Sequence, residues 1–380
     1  MSFVGGKRSQ LGAKRPFSRC FVGSCDRFAD KKVAAASNKV VVGFFLIYLL
    51  RFHASEHGED SLQGEIVQLI GDMKKTYHLC LSAGNEIMFR DLEDYNRGFN
   101  SFALALYKTG STGLVESFMS NHVHLLVQTA DPEGLMYALR QSYSMYFNHK
   151  YRRGGRLAEK RHFTLETVGY HHMVAAASYV LRNPLHHGVA STPYAYRHNS
   201  ANAIFRLEMG KFYSERLIPS RSYHNYIGKR AVFPEQYKMT ESGVFTRESV
   251  LDVPQVENLF GTPRAFNFYM SRKSSEEWEV EQRKDDNGLP PVSLDVIEQG
   301  VCLHPVEKMI VFESGKADYQ KISDMDLCVE LDNLARMRYG KHSVYQLSLK
   351  EKQEIAEKVY RAYRISRSRI CRCLALVDGR

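Results

Sequence analysis

The run HVHLLVQ, residues 122–128, constrains the fold most: it reads as a β-strand that sets two histidines on one of its faces. A strand alternates its side chains, so His122 and His124 point one way while Val123 enters the opposite layer. Further on, SYVLRNP (178–184) reads as helix, and a helix returns after four residues, so Tyr179 and Asn183 share a face. Two imidazoles, an amide oxygen and a phenol are the donor set of a divalent-metal site with a nucleophile beside it. Neither element argues alone. With 15 His in 380 residues, an H-x-H triplet arises by chance about 0.6 times. A helical tyrosine is usually a core residue, and an Asn before Pro is usually a helix stop. Their joint placement in one frame carries the argument.

That frame runs from residue 75 to 184. KTYHLCLSA (75–83) is β-rich, and residues 90–108 space Leu92, Tyr95, Phe99, Phe102 and Leu106 at three and four, which is a helix face. GLVESFM (113–119) and HVHLLVQ are strands joined at Ser120-Asn121, a tight hairpin signal. Asp131-Pro132-Glu133 opens a helix with a cap, a Pro at its first position and an acid in its first turn; it runs through Tyr151. HFTLETV (162–168) is a fourth strand, and a helix from Tyr170 to Arg182 ends at Asn183-Pro184. The order β-α-β-β-α-β plus a helix is the ferredoxin-like plan, α/β (α+β) in class. Two helices cover one face of such a sheet. The added helix, lying on the face left open, would bring Tyr179 to the histidines. Spacing alone does not choose among Tyr137, Tyr143, Tyr146, Tyr151 and Tyr179.

NHVHLLV, the Tyr-x-x-x-Asn-Pro downstream and the His-His-Gly after it resemble the single-tyrosine HUH transposases, in particular the REP-associated tyrosine transposases. The resemblance spans roughly residues 75–190, under a third of the chain. It implies that His122 and His124 bind a divalent metal, that Asn183 is the third ligand, and that Tyr179 is the nucleophile. The sequence departs from the family at Ala158, where many members carry an aromatic residue, and at Met119-Ser120, where Met-Pro is usual. The implied activity is transposition by nicking and rejoining single-stranded DNA through a 5′-phosphotyrosine. Two imidazoles and an amide oxygen suit Mg²⁺ or Mn²⁺, whereas zinc more often recruits Cys.

Composition agrees with a polyanion partner: the formal net charge is +10. Residues 139–161 interleave aromatics with Arg140, Lys150, Arg152, Arg153, Arg156, Lys160 and Arg161, a pattern suited to a single-stranded backbone with stacked bases. Residues 341–380 hold ten Lys/Arg against four Asp/Glu. There Ser348-x-x-Glu351 is a capping box opening a helix to about Tyr363, and a second helix follows from Arg367. Ile355, Val359, Ala362, Ile370 and Leu374 would form their shared core. This reads as a helix-turn-helix whose Arg367, Arg369 and Arg372 reach duplex DNA. Arg364 stands where the turn favours Gly, so a plain helical hairpin is its rival.

The expected organisation is residues 1–72 as an appendage or mis-extended start, 73–199 as the catalytic domain, 200–292 as an accessory region with a linker at 283–291, and 293–380 as a mostly helical DNA-binding region. The apolar run at 40–50 is too short to span a bilayer, so no membrane partner is expected. Seven Cys without a C-x-x-C pair fit reduced thiols, hence a cytoplasmic, nucleoid-associated protein. Nothing in the sequence decides between monomer and homodimer. Three rival readings stand beside the transposase: a non-catalytic DNA-binding regulator on the same scaffold, a replication-initiator or relaxase-type nickase, and an RNA-binding module. The nickase lacks a visible phosphate-loop motif. For the RNA-binding module, HVHLLVQ offers no exposed aromatic pair.

Overall fold

β1 (Lys75–Ser82), with alternating apolar residues, forms the centre of a four-stranded antiparallel sheet. The computed structural model describes residues 74–212, 215–272, 276–301, 310–311, 317–318 and 322–376. Residues 71–380 form one compact unit. The expectations for residues 1–72, including the apolar run at 40–50, lie outside the described residues. No described helix is long and apolar enough to cross a membrane.

The elements follow as α1 (Leu92–Lys108), β2 (Thr112–Phe118), β3 (His122–Thr129), α2 (Pro132–Tyr151), β4 (Phe163–Glu166) and α3 (Tyr170–His186). The sheet order is β2-β3-β1-β4. The cap expected for α2 forms, Asp131 accepting from the Gly134 N–H, and α1 has one the sequence reading did not name, Asp91 accepting from the Asp94 N–H. Period two divides the sheet cleanly. Leu79, Leu81, Val123, Leu125 and Val127 pack under Phe99, Phe102, Leu139 and Phe147 of α1 and α2. Cys80 and Leu126 face the other way, against Val174, Ala177, Val180 and Leu181 of α3.

Two differences from the sequence reading matter. The helix carrying Tyr179 does not end at Asn183-Pro184; it continues to His186 with Pro184 inside it. A proline so near the end removes a single N–H bond, and His187 still donates to the Asn183 carbonyl. The second face of the sheet is also not open. Beyond α4 (Val253–Phe260) and α5 (Pro263–Ser271), a segment made of α6 (Glu276–Gln282), a 3₁₀ turn and α7 (Leu294–Gly300) packs over α3 and β4. Residues 283–291, expected as a linker, are part of this cover. Asp285 accepts from the His172 N–H at 2.7 Å, and Asn287 donates to the Val168 carbonyl.

The C-terminal region consists of α8 (Asp324–Tyr339), α9 (Leu349–Tyr363) and α10 (Arg367–Cys373). The capping box at Ser348 and Glu351 is present. Arg364 adopts φ +53°, the left-handed conformation a turn usually gives to Gly. Ile355, Val359, Ile370 and Leu374 form the shared core with Leu327 and Leu331 of α8, whereas Ala362 is exposed.

Candidate active site

Register on β1 and β3 assembles the site. His122 pairs with Ser82 and His124 with Cys80, so these four side chains share one face, and α3 crosses it. Tyr179 and Asn183, one turn apart, face the histidines. Asn183 Oδ1 lies 3.2 Å from His122 Nε2, and the Tyr179 ring centroid is 5.4 Å from that of His124. The two imidazole centroids are 5.0 Å apart. The other four candidate tyrosines are on α2, on the far side of the sheet. Tyr143 donates to the Met88 carbonyl, Tyr146 and Tyr151 donate to Asp94, and Tyr137 faces solvent. Of the five tyrosines that spacing could not separate, Tyr179 is the one placed beside the histidines.

The site contains two residues that the sequence reading passed over. His78 on β1 sets its Nε2 3.1 Å from His124 Nδ1, and its ring lies 5.6 Å from Tyr179. Asn121, in the hairpin turn, sets Oδ1 2.8 Å from His122 Nδ1. His78 was detectable, because it precedes Cys80 by two on a strand whose alternation is plain. On the outer side, His187 approaches the His122 ring at 5.1 Å and His186 the Tyr179 ring at 6.1 Å.

Burial governs the electrostatics. His78, His122, His124 and Asn183 have no exposed surface, and Tyr179 is 7% exposed. Desolvation pushes the imidazoles down, His122 to about 4 against a slight opposing effect of Asn183, and His78 to about 3. His124 falls well below the ordinary value for the same reason, aided by the neighbouring imidazoles. All three are neutral at pH 7, the form that binds metals. Burial raises the Tyr179 phenol, as do Cys80 and Glu298; the nearby Asn183 amide offsets this only in part.

The donor set of His122, His124 and Asn183 is compatible with a divalent ion in its chemistry and spacing. Asn121 Nδ2 donates to the Gly84 carbonyl, which turns its Oδ1 toward His122 Nδ1 and makes that nitrogen the donor. A neutral imidazole has one N–H, so His122 Nε2 keeps a lone pair and directs it at the Asn183 oxygen. At 3.2 Å that lone pair meets the Asn183 side-chain amide, which can donate to it through nitrogen or share a cation with it through oxygen. A first-row ion with bonds of about 2.1 Å sets adjacent ligand atoms roughly 3.0–3.4 Å apart. Among the described residues no group of three or more His, Cys, Asp or Glu is arranged for a metal, so the amide of Asn183 is essential to any such site.

The basic residues divide. Arg152, Arg156, Lys160 and Arg161 are exposed in the α2–β4 connection, and the Glu159 N–H within it donates to the Ser82 carbonyl, beside His122. Arg140 is half-buried against His162, Lys150 is bound to Asp91 and Asp94, and Arg153 grips Glu86. Arg367 is exposed and pairs with Glu357 at 3.1 Å. Arg369 and Arg372 are buried: Arg369 bonds Asp324 at 2.5 Å, and Asp324 also receives the Ser120 hydroxyl beside the hairpin turn. These two arginines pack α10 inward and do not face a duplex.

No family model and no curated protein matches the chain. Among solved structures it is similar to a REP-associated tyrosine transposase bound to a REP hairpin, at 10% identity and a TM-score of 0.31. That likeness covers 39% of this chain and 94% of the other. A superposition that loose transfers neither fold nor chemistry.

Proposed function

We propose that this chain nicks and rejoins single-stranded DNA through a phosphotyrosine, as a metal-dependent single-tyrosine transposase or a domesticated relative. One observation carries the reading: β3 and α3 bring His122, His124, Asn183 and Tyr179 together, while the other four candidate tyrosines are kept across the sheet. In this reading the β1–β4 core is a ferredoxin-like HUH scaffold, consistent with its strand order.

His122, His124 and Asn183 would hold Mg²⁺ or Mn²⁺, which when bound neutralises charge building on the scissile phosphate. Tyr179 supplies the attacking oxygen. Its phenol forms the Tyr–O–P bond as the P–O3′ bond breaks, and the phenolic proton ends on the departing 3′-oxygen. The phosphotyrosine link conserves the bond energy, so rejoining needs no ATP. Arg152, Arg156, Lys160 and Arg161 hold the strand backbone beside His122. Arg367 provides a contact for hairpin or duplex DNA, while Arg369 and Arg372 anchor its helix.

A non-catalytic DNA-binding regulator is the second reading, favoured by the burial of Tyr179 under a cover that carries Glu279 and Asp295. Incubation with labelled single-stranded hairpin DNA and Mn²⁺ separates the two. A covalent protein–DNA band present in the wild type and absent in Tyr179→Phe is the expected result. Tight binding with no band across varied substrates would leave the regulator.

A further inference from the structure

Each candidate metal-binding histidine has its Nδ1 engaged by a neighbouring side chain, while Nε2 of His122 meets Asn183 and Nε2 of His124 lies 3.9 Å from the Cys80 sulfur. His122 Nδ1 meets Asn121 Oδ1 at 2.8 Å, and His124 Nδ1 meets His78 Nε2 at 3.1 Å. All four residues are fully buried, so no water competes for these contacts. We propose that Asn121 and His78 are positioning residues: each accepts the Nδ1–H of its histidine, fixing the tautomer that leaves both Nε2 lone pairs free for a divalent cation. This rests on reading the site as a metal centre and names the residues that prepare it.

For His122 the direction follows from the hydrogen-bond chain. The amide nitrogen of Asn121 is committed to the Gly84 carbonyl at 3.1 Å, so only its oxygen can face the imidazole, and an oxygen can only accept. For His124 the partner is a second imidazole, which can donate or accept, so the geometry alone admits both tautomers. The arrangement of the pair selects one. Nδ1 of His124 is engaged by His78, so Nε2 is the nitrogen left for a cation. Its remaining nitrogen, Nε2, lies 3.9 Å from the Cys80 sulfur, whose thiol is a weak donor able to face a bare nitrogen. In this arrangement His78 keeps its own proton on Nδ1, which has no hydrogen-bond partner among the described residues. Partners of this kind orient a ligating imidazole and raise its basicity.

Two measurements on the full chain test the proposal. Long-range proton–nitrogen NMR of the metal-free protein, with His122→Gln and His124→Gln used for assignment, reads the tautomers directly. Both histidines are expected to be protonated at Nδ1 and bare at Nε2; a proton on Nε2 of either overturns the proposal. Mn²⁺ titration followed by electron paramagnetic resonance then compares His78→Phe, His78→Gln and Asn121→Ala, each checked by thermal melting. His78→Phe and Asn121→Ala should weaken Mn²⁺ binding by about 10–100-fold, while His78→Gln, which retains an acceptor, keeps most of the affinity. If His78→Gln fails as badly as His78→Phe while both melt like wild type, the acceptor role is refuted. A wild type with the expected tautomers that binds no Mn²⁺ would instead overturn the metal-centre reading and leave the tautomer assignment standing.

Discussion

At Tyr179 two demands conflict. A nucleophile needs access and a low pKa, yet this phenol is buried and raised by its surroundings. In the described conformation Tyr179 is closed off from solvent. On the proposed function, Tyr179→Phe is expected to abolish any covalent adduct while leaving DNA affinity within about twofold, since no exposed phosphate contact is lost; denaturing gels and filter binding read the two separately. Asp94 illustrates burial elsewhere. It accepts from the Arg90 N–H, Lys150, Tyr146 and Tyr151, with Asp91 and Glu93 nearby, and burial reinforced by Asp91 raises it to about 6 against the attraction of Lys150. A carboxyl raised in the folded state binds its proton more tightly there. Its contribution is complete below the ordinary 3.8 and is lost as pH climbs through about 6. Urea unfolding from pH 4 to 7 should show this decline in wild type, and Asp94→Asn should remove it.

The C-terminal helices are joined to the sheet by buried ion pairs rather than by apolar contact alone. Arg90, just before α1, bonds Asp332 on α8 at 3.0 Å and the Cys373 carbonyl on α10 at 2.8 Å. Arg369 on α10 bonds Asp324 on α8, which in turn receives Ser120 from the turn preceding His122. The hairpin that presents the histidines is thus tied to the C-terminal helices. Removing one partner strands a buried charge, so Arg369→Ala is expected to cost about 3–5 kcal/mol in urea unfolding. Arg369→Met combined with Asp324→Leu should recover only part of that loss: no buried charge is left unpaired, but the Ser120 hydroxyl and the Ile322 carbonyl lose their partners. A loss in Arg369→Ala below about 1 kcal/mol would place the pair among weak surface contacts.

For the molecule as a whole, charge and cover act in opposition. The net charge is +10, yet the cavity of about 220 Å³ beside Tyr179 is lined by Glu279 and Asp295 of the covering segment. Four exposed cations, Arg152, Arg156, Lys160 and Arg161, lie instead in the α2–β4 connection, whose Glu159 N–H reaches the carbonyl of Ser82, the β1 partner of His122. Affinity for a single strand should follow those cations. A log–log plot of affinity against salt should lose about 0.7 of slope for each phosphate contact removed by Arg156→Ala, Lys160→Ala or Arg161→Ala. Lys150→Ala, whose ammonium is already held by Asp91 and Asp94, should lower stability and leave the slope unchanged.

The sequence by itself determined the local structure of the core: the strands, the caps at Asp131 and Ser348, and the shared face of His122 and His124. Each follows from periodicity or from a side chain meeting backbone groups within four residues. It also carried the pairing of Tyr179 with Asn183 on one helix face, though the choice of that tyrosine depended on a resemblance. Only the tertiary structure decided what depends on distant partners. It set His78 against His124 across the β1–β3 register, sent Arg369 and Arg372 inward toward α8, carried α3 past Pro184, and folded residues 276–301 over the sheet. Burial and long-range pairing have no local signature. An arginine in a basic helix reads the same whether it meets a phosphate or, as Arg369 does, an aspartate forty-five positions earlier in the chain.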